Sequence, residues 1–125
     1  MYKLIVKDKF DSAHQIHGHI GKCAGLHGHT WDVEAVFSSD HLDAIGMAAD
    51  FGILKAILKA VLEEFDHTYL NDLIYFKVVN PTAENISSLI YSKINEKLAG
   101  EDINGAKLTE VRVWESPTAC SIYSE

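Results

Sequence analysis

The segment from Thr30 to Ser39 constrains the fold more than any other, because apolar side chains occupy every second position. These side chains are Trp31, Val33, Ala35 and Phe37. Successive side chains of a β-strand point to opposite faces, so the alternation predicts a strand with one buried face. The same parity, carried back along the chain, puts His27 and His29 on that face. We therefore expect a strand that begins at His27 and presents two imidazoles on one side.

A second strand is predicted at the start of the chain, from Tyr2 to Ala13, where apolar residues alternate with lysines. Its parity continues to His14. If the two strands pair antiparallel, His14 faces the pair formed by His27 and His29. Three imidazoles can bind one zinc ion and leave the fourth tetrahedral position open to water or substrate. The sequence thus predicts a metal site made of these three histidines.

The spacing of the histidines alone is weak evidence, since a second pair, His17 and His19, has the same spacing within a glycine-rich loop. The alternative is that all of them are surface residues of a chain with seven histidines. Cys23 lies shortly before the strand that opens with His27. It is a candidate for a fourth metal ligand, a structural thiol, or a catalytic base or nucleophile with a lowered pKa.

Two further candidates carry acid–base groups. Asp66 and His67 are adjacent, and a carboxylate next to an imidazole can hold one tautomer and stabilise the protonated ring. The alternative is that Asp66 ends a helix with a turn. Glu115 ends an apolar strand face, where a carboxylate needs a partner unless the strand frays and the side chain is solvated. A buried Glu115 is suited to bind paired N–H donors of a heterocycle.

The remaining patterns predict two helices and two more strands. Apolar spacing predicts an amphipathic helix from Ile53 to Phe65, with Asp50 near its start, and a second helix that begins after its N-cap Thr82 and stops at Gly100. Strands are predicted at 108–115 and 119–123, and the stretch 66–80 as irregular. We expect one α+β domain over residues 1–125, a four-stranded antiparallel sheet with both helices on one face and the order ββααββ.

Composition excludes several classes of protein. The net charge of −7 argues against a nucleic-acid-binding surface, which needs clustered Lys and Arg. The chain has no apolar run long enough to cross a bilayer and no signal-peptide pattern, so we expect neither membrane attachment nor export. Two cysteines are too few for a disulfide scaffold, although a Cys23–Cys120 pair remains open. The expected location is the cytoplasm.

Taken together, these motifs resemble those of the 6-pyruvoyl-tetrahydropterin synthase and 6-carboxy-tetrahydropterin synthase family. They occur in the family's order over nearly the whole chain. The matching segments are Phe10-Asp11-Ser12-Ala13-His14, CAGLHGH from Cys23 to His29, Ala49-Asp50-Phe51, Asp66-His67 with Tyr69-Leu70-Asn71, Pro81-Thr82-Ala83-Glu84-Asn85, and Glu115.

The resemblance implies a role for each candidate. His14, His27 and His29 become zinc ligands, Cys23 the general base, and Asp66 and His67 the rest of a catalytic triad. Glu115 becomes the anchor of the pterin ring and a member of the proton relay, with Thr82 near the pterin. The implied architecture is the tunnelling fold, in which subunits close their sheets into barrels. Two trimers pair into a hexamer, and the active sites lie between subunits.

The implied reaction converts 7,8-dihydroneopterin triphosphate to 6-carboxy-5,6,7,8-tetrahydropterin, with release of acetaldehyde and triphosphate, towards queuosine and related deazapurines. The alternatives are formation of 6-pyruvoyl-tetrahydropterin, and a non-catalytic member that binds pterin or metal. Ser12 stands where the family often has alanine, and the segment between His14 and Cys23 is short. Cys120 is expected to be a buried structural thiol, and Lys22 is a candidate for binding the triphosphate.

Overall fold

The computed structural model describes residues 1–21 and 24–125. The strands are β1 (Tyr2–His14), β2 (His27–Ser39), β3 (Thr68–Tyr69), β4 (Lys107–Ser116) and β5 (Ala119–Ser124), and the helices are α1 (Phe51–Leu62) and α2 (Ala83–Leu98). Two 3-10 turns, Leu70–Asp72 and Ile74–Phe76, lie between β3 and α2. The five strands form one sheet in the order β3-β1-β2-β4-β5.

The two long strands β1 and β2 pair antiparallel along their full length, from Tyr2 opposite Ser39 to His14 opposite His27. The predicted strands and their pairing are therefore confirmed. Because the register is uninterrupted, the alternation of each strand is kept to its end. The last residue of β1 and the first residue of β2 thus present their side chains to the same face.

The prediction of a four-stranded antiparallel sheet is wrong in one respect. A fifth strand, β3, pairs parallel with the end of β1, with Ser12 opposite Thr68 and Ala13 opposite Tyr69. The sheet is therefore mixed. The strand β3 leaves no signal in the sequence, because two residues are too few for a pattern of alternation to be recognised.

Both helices begin at the side chains that cap them. The Asp50 carboxylate accepts a hydrogen bond from Gly52 N–H at 2.7 Å, and the Thr82 hydroxyl accepts one from Asn85 N–H at 3.1 Å. Such caps satisfy amide groups that have no partner within the helix. The first helix ends at Leu62, earlier than predicted, and Phe65 is buried from the turn after it.

The core lies between the helices and one face of the sheet. Its largest fully buried side chains include Trp31, Phe10, Phe37, Phe65, Leu54, Leu58, Ile86, Ile90 and Ile94. The other face of the sheet bears mostly polar and charged side chains, so the strands alternate as predicted. Among residues 1–21 and 24–125, no helix has the length and apolar character needed to cross a membrane.

The prediction that Cys120 is a buried structural thiol is wrong. Cys120 is exposed and not a buried thiol, because it shares the parity of the exposed Ile122 in β5, whereas Ser121 and Tyr123 are the partly buried residues of that strand. The general tendency of cysteine to be buried is overridden here by the face on which the strand places it.

Candidate functional site

The three predicted histidines meet at the open end of the β1–β2 ladder. His14 and His27 are opposite one another in the register, and their Nε2 atoms lie 2.7 Å apart. The ring centroid of His29 lies 4.5 Å from that of His27 and 5.1 Å from that of His14. Trp31 forms the base of the cluster, with its rings packed edge-on against His14 and His29. The alternation of two paired strands is thus sufficient to bring the three imidazoles together.

Two backbone carbonyl groups determine which nitrogens carry hydrogen. His14 Nδ1 lies 2.7 Å from the Pro81 carbonyl oxygen, and His27 Nδ1 lies 2.7 Å from that of Gly25. A carbonyl oxygen only accepts, so each Nδ1 donates, and the neutral ring keeps a lone pair on Nε2. The two Nε2 lone pairs then face each other at 2.7 Å. Facing lone pairs repel each other, and a metal cation bound by both nitrogens would remove that repulsion.

The Glu115 carboxylate completes this cluster. Its Oε1 atom lies 3.1 Å from His14 Nε2, 3.2 Å from His29 Nε2 and 3.9 Å from His27 Nε2. Within the described part of the chain, His29 Nε2 and Glu115 Oε1 are buried and have no hydrogen-bond partner of acceptable geometry. Buried polar atoms without partners are costly. Three imidazole nitrogens and one carboxylate oxygen that converge in this way could hold a metal ion.

Burial affects the protonation of two of these ligands. It lowers the pKa of His14 and of His29 below the ordinary histidine value, and the negative charge of Glu115 only partly opposes this effect. Metal ions bind the neutral imidazole. The burial that lowers these pKa values therefore keeps the rings in the form that a metal requires.

A cleft of about 260 Å³ adjoins Glu115. It lies between the start of α2 and the β4–β5 turn, and its walls are Ala83, Glu84, Glu115, Ala119, Cys120 and Ser121. Thr82 lies between Pro81 and this wall in the sequence, and its hydroxyl is engaged as the cap of α2. Thr82, which was predicted to lie near the ligand, thus stands in the chain between the cleft wall at Ala83 and Pro81, whose carbonyl group holds His14.

The Asp66–His67 pair is formed as predicted. Asp66 Oδ2 lies 2.9 Å from His67 Nδ1, so the carboxylate engages one of the two ring nitrogens. The backbone of Asp11 holds both residues, since its N–H donates to Asp66 Oδ1 at 2.9 Å and its carbonyl accepts from His67 N–H at 2.7 Å. The Asp11 amide, and after it the His67 ring, lower the pKa of Asp66. His67 adopts a left-handed backbone conformation, with φ of 55°, which is unusual for a residue other than glycine.

Within one chain the structure does not bring this pair to the histidine cluster. Asp11 points to the exposed face of β1, between Phe10 and Ser12, which are buried on the other face with His14. The His67 side chain is 79% exposed beside Asp11. The acid–base pair therefore lies beside Asp11 at the edge of β1, in a group of its own that is separate from the candidate metal ligands.

Several groups at the site were not predicted as functional from the sequence. The Gly25 and Pro81 carbonyl groups leave no sequence signal of their own, although Pro81 belongs to a motif already noted. Asp11 was noted only as part of a motif, and its carboxylate accepts a hydrogen bond of 2.5 Å from the Thr30 hydroxyl. The predictions for Cys23 and Lys22 lie outside the described residues.

Comparison with known proteins identifies the family. The model of the 6-pyruvoyl tetrahydropterin synthase family matches residues 3–125. The chain belongs to this family. The predicted resemblance to an enzyme family is confirmed.

Relatives from the 6-pyruvoyl tetrahydropterin synthase family cover nearly the whole chain. A Rickettsia felis protein named 6-carboxy-5,6,7,8-tetrahydropterin synthase is 31% identical and spans 94% of this chain and 96% of its own length. A Haemophilus influenzae protein of the same name is 30% identical over the full length of both. The structure of Caenorhabditis elegans 6-pyruvoyl tetrahydropterin synthase superposes with a TM-score of 0.87 at 24% identity, over 99% of this chain and 95% of that one. The predicted tunnelling fold is confirmed, although the sheet has a fifth, parallel strand.

Proposed function

We propose that the chain is a zinc-dependent lyase that converts 7,8-dihydroneopterin triphosphate to 6-carboxy-5,6,7,8-tetrahydropterin, with release of acetaldehyde and triphosphate, in queuosine and deazapurine biosynthesis. The observation that carries the proposal is the convergence of three histidine Nε2 atoms on Glu115 Oε1. The names of the Rickettsia and Haemophilus relatives support the choice of reaction.

In this proposal His14, His27 and His29 hold the zinc ion. The donor set of imidazole nitrogens suits zinc, and the hydrogen bonds from Nδ1 of His14 and His27 direct the Nε2 lone pairs to one point. When bound, zinc supplies a Lewis acid that stabilises negative charge developing on the oxygens of the substrate side chain.

Glu115 and Thr82 are proposed to bind the pterin. Glu115 lies at the boundary between the histidine cluster and the cleft near the start of α2. A pterin ring in that cleft can donate two N–H bonds to the carboxylate, which places the pterin side chain next to the histidines. The proximity of the Glu115 carboxylate to the cluster also suits the proton relay that the family resemblance implies.

Proton transfer is assigned to Cys23, Asp66 and His67. Cys23 acts as the base that removes a proton from the substrate side chain. His67 donates and accepts at Nε2, while Asp66 holds Nδ1 and stabilises the protonated ring. Because Asp66 and the exposed His67 lie apart from the histidine cluster of their own chain, we propose that they serve the zinc site of a second copy. The assembly that we propose is a hexamer, a dimer of trimers with active sites between subunits.

Product analysis tests the reaction. The zinc-loaded protein is incubated with dihydroneopterin triphosphate, the pterins are identified by mass spectrometry, and acetaldehyde is assayed separately. We expect a carboxy-pterin and acetaldehyde, and neither with the His27→Ala variant. A pyruvoyl product without acetaldehyde would assign the alternative reaction. Tight pterin binding without turnover would instead indicate a binding protein.

A further inference from the structure

Two asparagines hold the segment after His14 in the same way. Gln15 N–H donates to Asn71 Oδ1 at 2.8 Å, and Asn71 Nδ2 donates to the Gln15 carbonyl at 2.8 Å. His17 N–H donates to Asn80 Oδ1 at 3.0 Å, and Asn80 Nδ2 donates to the His17 carbonyl at 2.8 Å. Each side-chain amide thus pairs with the N–H and the carbonyl of one residue, as the backbone of a neighbouring strand would do.

The two asparagines differ in their position relative to Pro81. Asn80 precedes Pro81, whose carbonyl oxygen accepts the hydrogen bond from His14 Nδ1 at 2.7 Å. The carbonyl of Asn80 in turn accepts from Thr82 N–H and from Asn85 Nδ2, each at 2.9 Å. Both the side chain and the carbonyl group of Asn80 are therefore held by hydrogen bonds, next to the peptide bond that joins Asn80 to Pro81. Asn71 lies in the 3-10 turn at 70–72, away from Pro81 in the sequence.

We propose that Asn80 is a positioning residue for the metal site. By joining the His17 backbone to the peptide before Pro81, it fixes the distance and direction of the Pro81 carbonyl relative to His14. That carbonyl keeps the hydrogen of His14 on Nδ1 and directs the Nε2 lone pair to the cluster. The inference rests on the proposed metal site. The effect of Asn80 on the tautomer of His14, however, can be measured in the metal-free protein.

The test compares Asn80→Ala with Asn71→Ala, since each variant removes two similar hydrogen bonds from the same segment. Zinc affinity is measured by competition with a chelator, and stability by urea unfolding of the metal-free protein. We expect Asn80→Ala to weaken zinc binding by about 10- to 100-fold, as for other groups that orient metal ligands. Asn71→Ala is expected to lower stability to a similar degree and to leave zinc affinity unchanged.

Nitrogen NMR of the metal-free proteins provides a second readout. The wild type and Asn71→Ala should show His14 with hydrogen on Nδ1, and Asn80→Ala a mixture of the two tautomers. Asn80→Asp, which keeps the acceptor for His17 N–H and loses the donor, is expected to have intermediate zinc affinity and serves if the alanine variant does not fold.

Equal losses of zinc affinity in the Asn71 and Asn80 variants would overturn the inference, because the effect would then come from the loop as a whole. Wild-type affinity in both Asn80 variants would overturn it as well. Failure of the wild-type protein to bind zinc would reject the proposed metal site, and the tautomer of His14 would then decide separately whether Asn80 positions the ring.

Discussion

The histidine cluster and the Asp66–His67 pair differ in how they are built. The cluster joins the ends of two long paired strands, and His14 is fully buried within it. The pair lies on a turn with a left-handed residue, beside Asp11 at the edge of the sheet, and the His67 side chain is exposed. One site is held by packing and hydrogen bonds within a single chain, whereas the other presents its groups outwards. The difference supports the proposal that the chain completes its active site only with a second copy.

The largest expected effect is the loss of a metal ligand. His27→Ala should lower zinc affinity by at least about 100-fold and abolish turnover, since removal of a ligand costs more than loss of a group that orients one. Metal analysis after dialysis and a turnover assay measure the two effects. His41→Ala is the control, because this exposed histidine lies outside the cluster. Zinc retained at one ion per chain in His27→Ala would reject the assignment of this ligand.

Replacement of the proposed base should separate binding from turnover. Cys23→Ala is expected to keep its zinc and to lose turnover by about 10²- to 10⁴-fold, which is the usual contribution of a general base. Cys23→Ser should behave alike, because a hydroxyl is a much weaker base than a thiolate. Retained activity in Cys23→Ala would reject the mechanism, and loss of zinc in both variants would indicate a structural ligand.

Mixing two inactive variants tests whether the two sites act across subunits. His67→Ala keeps the histidine cluster, and His27→Ala keeps the acid–base pair. If the pair of one copy serves the cluster of another, random mixing of chains should restore about a quarter of the wild-type activity. The chains are unfolded together, refolded and assayed. If the mixture is as inactive as each variant alone, each chain uses its own Asp66–His67 pair.

The pH dependence of stability should differ between the two regions. Burial lowers the pKa of His14 and His29, so the unfolded chain binds more protons than the folded chain once the pH falls to about 6.5, and stability decreases below that value. The lowered pKa of Asp66 contributes stability that is lost only as the pH falls below about 4. Urea unfolding of the metal-free protein measures both windows.

His14→Gln and Asp66→Asn separate these contributions. The glutamine variant should flatten the decrease between about pH 7 and 5, and the asparagine variant should flatten only the decrease below about pH 4. A decrease near pH 6 that is the same in His14→Gln and in the wild type would contradict the assignment to buried histidines.

The sequence predicted the histidine cluster because strand alternation is a local rule. Knowing that His14 ends one strand and His27 begins the next was enough to place them opposite each other. Both helices were found for the same reason, from apolar spacing and from Thr82 as the N-cap of the second helix; that Asp50 caps the first helix is seen only in the structure.

The features that the sequence did not reveal depend on contacts between distant backbone segments. The strand β3 has two residues, and its pairing with β1 is decided by the turn after α1. The Pro81 carbonyl that holds His14 is a group that every residue possesses, so only the fold distinguishes it. The backbone of Asp11 holds Asp66 and His67 apart from the cluster, through hydrogen bonds between segments that are distant in the sequence.

The proposed function depends above all on three histidines that bind the metal through nitrogen, without Cys23. X-ray absorption spectroscopy of the zinc-loaded wild-type protein tests this claim most directly. We expect imidazole nitrogen ligands at about 2.0–2.1 Å and no sulfur. A sulfur ligand at about 2.3 Å would contradict the claim, because Cys23 would then be a fourth ligand and could not serve as the free base.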